Sequence, residues 1–218
     1  NYNQSQNNSA NLTYRNYLSR YKVILSTPKF WGISLSWIGF SGVMIAYYAA
    51  IPFWFIQGYG YSESTYPWLG VITVSFYIIG LSCSKKITQL NFNTHKTIYF
   101  AMLMGLGAII LSIFFQLINF VNITSIIITM SWWFVCASLI IIPANAEAAA
   151  LFPKWKATTA AMLSGNFFIG VSIFAYILSE INPHKLWQIS IFLIIVWTLS
   201  FTSFYYLVYK NINNKNIK

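Results

Sequence analysis

Six apolar stretches, parted by short polar segments, set the pattern of this chain. They run over 30–56, 66–83, 97–120, 123–151, 157–181 and 187–209. Crossing the hydrocarbon core of a bilayer takes roughly 20 residues of α-helix. The pattern therefore predicts an all-α integral membrane protein, a bundle of six transmembrane helices. The segment around Asn119 to Asn122 is so short that spans three and four must be antiparallel neighbours. Between spans four and five lies an elbow, Phe152-Pro153-Lys154-Trp155-Lys156, whose lysines and tryptophan belong at a water interface.

The flanks differ in character. Residues 1–29 read as a cytoplasmic linker: 1–10 are rich in Asn, Gln and Ser and are expected to be disordered. Residues 11–29 interleave Leu12, Tyr14, Tyr17, Leu18 and Tyr21 with Arg15, Arg20 and Lys22, a mix suited to lying along a membrane surface. Residues 210–218 form a polar tail. The chain opens on Asn1 rather than methionine, and further sequence is expected upstream.

Charge gives the spans a direction. With the N-terminus in the cytoplasm, Arg15, Arg20, Lys22, Lys29, Lys85, Lys86, Lys96, Lys154, Lys156, Lys210, Lys215 and Lys218 all fall inside, and Lys185 alone falls outside. Lysine and arginine collect on the cytoplasmic side of membrane proteins. Both ends are thus expected in the cytoplasm.

Composition narrows the function. Hydrophobic residues make up 57% and charged residues 7% of the chain. The net charge of +10 is spread between apolar blocks, which argues against a nucleic-acid face. Only Glu63, Glu147 and Glu180 are acidic, so paired carboxylates for acid/base catalysis or a carboxylate metal cage are not expected. Cys83 and Cys136 read as small buried hydrophobes, and no disulfide or zinc spacing occurs. His95 and His184 fall in loops at opposite membrane faces. No nucleophile elbow, zinc-helix or phosphate-loop motif is present, and neither an enzyme nor a cofactor is expected.

Glu147 is the acid placed within an apolar segment, where a carboxylate is a functional candidate by default. It also lies seven residues before Lys154, close enough to reach the interface, so gating or proton handling stands beside a structural role. Pro143 frees a helix carbonyl, which Asn145 could satisfy; Asn166 on span five is a further polar candidate. Pro52 is expected to kink the outer end of span one. Among the aromatics, Tyr47, Tyr48, Tyr77, Trp132, Trp133, Phe167, Phe168 and Tyr176 have the depth to line a cavity. Gly32, Gly39, Gly42, Ala46 and Ala49 in span one, Ala101, Gly105 and Ala108 in span three, and Gly165 and Gly170 in span five are expected to allow close helix approach.

Several stretches carry a family resemblance over about 17–209. Arg20-Tyr21-Lys22-Val23-Ile24-Leu25-Ser26-Thr27-Pro28-Lys29-Phe30 resembles the linker entering helix seven of major facilitator superfamily transporters, in the bicyclomycin-resistance-like branch of drug/proton antiporters. Ala46-Tyr47-Tyr48-Ala49-Ala50-Ile51-Pro52-Phe53 is similar to that branch's tyrosine-to-proline segment, and Tyr59-Gly60-Tyr61-Ser62 to the loop after it. Pro143 to Leu151 resembles the end of helix ten. Ala157 to Asn166 resembles the opening of helix eleven, although the branch usually has a glycine near Thr158.

The resemblance implies the C-terminal half, helices seven to twelve, of a transporter whose substrate sits near the midplane between two halves. It implies proton-coupled efflux of amphipathic drugs or other small organic compounds, as in multidrug resistance. The implied partners are the substrate, protons and an N-terminal six-helix half. An importer of a metabolite or nutrient, or a six-helix scaffold protein, are the alternatives.

Overall fold

The computed structural model describes residues 18–90, 92–182 and 184–210. Among them no strand occurs, and six helices are long and apolar enough to cross a membrane. These are α1 (Pro28–Gly58), α2 (Tyr66–Gln89), α3 (Thr94–Leu117), α4 (Ile123–Leu151), α5 (Lys156–Glu180) and α6 (Leu186–Tyr209). A short helix over 18–25 leads into α1. The protein is a multi-pass all-α membrane protein. The expectations for 1–17 and for the tail beyond Lys210 lie outside the described residues.

Local chemistry sets the helix ends. Pro28 and Pro67 stand in the opening turns of α1 and α2, where a missing N–H costs nothing. The expected polar loop over 84–96 is much shorter than the sequence suggested. Lys85 to Gln89 are all helix-compatible and complete α2. The Asn93 side chain then opens α3 by accepting the His95 and Lys96 backbone N–H groups at 3.0 and 3.3 Å. His95 is therefore a first-turn helix residue, not a loop residue. After α3, Asn119 takes a left-handed φ of 54°, which asparagine tolerates. Asn122 and Ser125 then cap α4 reciprocally through side chain and backbone.

Burial sorts the helices in the same order twice. Of the most apolar window of each, 72% is buried in α1, 17% in α2 and 39% in α3; α4, α5 and α6 follow with 72%, 11% and 33%. α1 packs on α4, α5 and α6, while α4 packs on α1, α2 and α3, and α3 meets α6. The chain thus reads as two three-helix sets, each with one central, one outermost and one intermediate helix, and the outermost helix of each set rests on the central helix of the other.

Cross-helix hydrogen bonds fix this packing. Trp132 Nε1 donates to Met104 O at 2.8 Å, Trp197 Nε1 to Met102 O at 2.7 Å, and Ser200 Oγ to Leu35 O at 3.2 Å. Ser112 and Ser190 share a hydrogen bond of 2.7 Å between α3 and α6. In lipid such bonds contribute on average about 0.6 kcal/mol each. Close approach does the rest. A side chain at Gly32 would strike Val208, at Gly39 Ser200, at Gly80 Ser138, and at Gly105 the Phe40 ring. Gly170 abuts Ile38, whereas Gly165, expected to serve the same purpose, has nothing within 4 Å of where its Cβ would be. Ala49 is likewise exposed.

Candidate functional site

An aromatic cluster joins the central helices. Tyr47 is fully buried, its ring 5.6 Å from Phe134, 5.8 Å from Tyr48 and 6.2 Å from Trp54. Half-buried Tyr48 shares a hydrogen bond of 3.0 Å with Thr73 and so ties α1 to α2. Lower on the same interface Trp133, also fully buried, stacks on Phe40 at 4.6 Å and donates its Nε1–H to Phe40 O at 3.1 Å. Phe40 lies in a widened π turn over Ile38–Gly42, where a carbonyl is more open to a partner from outside the helix. Tyr77 packs half-buried against this core from α2. Tyr47, Tyr48 and Trp133 therefore stand along the contact of α1 with α4.

The candidates on α5 part company. Asn166, Gly170 and Phe174 follow at intervals of four and turn toward α1. Phe168 and Tyr176, 65% and 70% exposed, point away from the bundle along with exposed Ser172. Phe167 stacks on Trp37 at 4.5 Å. Asn166 borders a crevice of about 350 Å³ between α1, α5 and α6, lined mostly by Leu35, Ile38, Ile173 and Leu199. Its amide Nδ2 is enclosed, with no hydrogen-bond partner among the described residues.

Pro143 resolves differently from expectation. Pro143 has no N–H for the carbonyl four residues back, Leu139 O. That oxygen accepts the Ser84 hydroxyl of α2 at 3.4 Å, so the bond comes from a neighbouring helix and not from Asn145. Asn145, exposed, donates its Nδ2 to Ile141 O of its own helix at 2.8 Å. Pro52 lies inside α1, and just beyond it the helix widens into a second π turn over Trp54–Gly58.

Glu147 pairs with a residue that sequence reasoning had set aside. Its Oε1 lies 3.0 Å from His95 Nε2, with the two side chains about one-fifth exposed at 21% and 17%. They face a polar notch of about 460 Å³ bordered by Thr88, Phe92, Asn93 and Thr94. No sequence signal joins positions 95 and 147; only the packing of α3 on α4 does. At the other end of the bundle His184 Nε2 meets Gly58 O at 2.8 Å and its ring lies 4.5 Å from Tyr59. Burial, with a smaller effect from Tyr61, raises the Tyr59 phenol above its ordinary pKa.

Among the described residues no group of three or more His, Cys, Asp or Glu side chains could hold a metal ion. Cys136 is buried as expected, but Cys83 is exposed, on the free face of α2. Compared with models of protein families, with curated proteins and with solved structures, the chain matches none.

Proposed function

We propose that this chain is the C-terminal six-helix half of a secondary active transporter of the major facilitator type, exporting amphipathic drugs or other small organic compounds in exchange for protons. The observation that carries the reading is the twice-repeated order of burial along α1–α3 and α4–α6. Transporter halves of this type are built from two three-helix repeats. The same order leaves α2 and α5 almost bare, with Trp68, Phe76 and Ile79 on one and Phe168 and Tyr176 on the other. Those faces suit a second six-helix half, and a pathway between the halves would run beside Asn166, Tyr176 and the Tyr47–Tyr48 cluster.

On this reading Glu147 with His95 would tie the inner ends of α3 and α4 during transport. The chain would sit in a bacterial inner membrane with both ends in the cytoplasm, as the distribution of lysine and arginine favours. The test is expression of the complete reading frame in a host lacking its own pumps, followed by growth on a panel of toxic compounds and of nutrients. Raised resistance to several amphipathic compounds is the expected outcome. Growth gained on a nutrient would make the protein an importer, and no change on either panel would leave a scaffold.

A further inference from the structure

We infer that the elbow between α4 and α5, together with the helix over 18–25, forms a binding site for the headgroup of an anionic phospholipid. The site does not depend on the transport reading. Two segments far apart in sequence build it. The Arg20 guanidinium lies 6.0 Å from the Trp155 ring, so the leading helix is docked against the elbow. The docking is held elsewhere too: Ile24 is fully buried, and Trp31 Nε1 donates to Leu25 O at 2.7 Å. Lys154 and Lys156, both exposed, flank Trp155, and exposed Lys22 follows Arg20 by two residues.

Among the described residues Glu147 meets His95, and no carboxylate lies against Lys154 or Lys156 to neutralise them. The first turn of α5 begins at Lys156 without a side-chain cap and without an acid, and its positive end adds to the lysines. Beside these cations Phe152 and Trp155 stand nearly parallel, their planes 15° apart, and with Leu151, Pro153 and Lys154 they line an open hollow of about 310 Å³.

A soluble anion would have no use for the aromatic walls. A phospholipid uses both parts: its phosphate meets the cations, and its glycerol and first methylenes lie against Phe152, Trp155 and Leu151. The elbow lies where two membrane-length helices end, the depth at which headgroups sit and tryptophan accumulates. Cations near an anionic surface each add about 1 kcal/mol of attraction.

The experiment titrates the detergent-solubilised 218-residue chain with short-chain phosphatidylglycerol and phosphatidylcholine and counts retained lipids by native mass spectrometry. Phosphatidylglycerol is expected to be retained about tenfold better, in keeping with cation-headgroup attraction. K154Q/K156Q should abolish that preference, and K154Q alone should cut it by roughly fivefold. K154R/K156R should keep the preference. K85Q/K86Q, which removes equal charge from another segment, should leave it within about twofold. Equal retention of the two lipids overturns the site, and so does an equal loss in K85Q/K86Q, which would trace the preference to net charge. Displacement by inorganic phosphate at matched ionic strength would reassign the elbow to small anions and overturn the lipid.

Discussion

Glu147 Oε1 sits 3.0 Å from His95 Nε2, tying the last turns of α4 to the first turn of α3 across 52 residues of sequence. The carboxylate that looked isolated in an apolar segment thus has a polar partner at the helix ends, which lowers the cost of placing it there. Glu147→Gln and His95→Ala are each expected to leave membrane insertion intact and to lower stability slightly. A double-mutant cycle on unfolding in detergent should return a coupling of about 0.2–1 kcal/mol, the range for a partly exposed pair. A coupling of zero would separate the two residues.

Ser84 and Pro143 form a second pair that can be tested. Ser84→Ala removes the donor to Leu139 O and should cost about 0.6 kcal/mol. Pro143→Ala restores a backbone N–H to the same carbonyl, so the cost of Ser84→Ala should fall by half or more in that background. Equal costs in both backgrounds would show that the Ser84 hydroxyl does not serve Leu139.

The two glycines of α5 should behave oppositely. A Cβ at Gly170 would strike Ile38 Cγ2, inside the packed α1–α5 contact. Gly170→Ala is expected to destabilise by about 1–3 kcal/mol. Gly165→Ala meets nothing and should be neutral or stabilising by up to about 1 kcal/mol. Thermal unfolding of both variants decides this.

Two ends of the bundle are defined by contacts, Arg20 with Trp155 and His95 with Glu147 at one, and His184 with Gly58 at the other. In a chain whose native Cys83 and Cys136 are replaced, single cysteines at Lys86, Lys96 and Lys154 should react with an impermeant thiol reagent from one side of the membrane. A cysteine at His184 should react from the opposite side. Lys86 and Lys154 labelled from different sides would break the six-span topology.

Tyr48→Phe removes the hydroxyl shared with Thr73 and should loosen α2 from α1 at a cost of about 0.6 kcal/mol. Trp133→Phe should cost more, because it also strips the Phe40 carbonyl of its cross-helix donor inside the core. Matched losses would place both residues in the same structural role.

What the sequence determined alone was the count of spans, their approximate limits and their alternation. The reason is physical: backbone polar groups in lipid must be satisfied within the segment, so an apolar run long enough to cross becomes a helix whatever lies next to it. The capping residues Asn93 and Asn122 and the two opening prolines were also open to reading, since they act over three or four positions. The loop over 84–96 was misjudged because lysines mark a membrane boundary without ending a helix.

Tertiary structure decided which helix is central, which carbonyl Pro143 leaves to Ser84, and which carboxylate meets His95. It also set which aromatics of α5 turn inward. All-round apolar helices carry little periodic asymmetry, and in lipid the face a helix presents to its neighbours is chosen by close packing and cross-helix hydrogen bonds. Those contacts join residues tens of positions apart, and no local pattern records them.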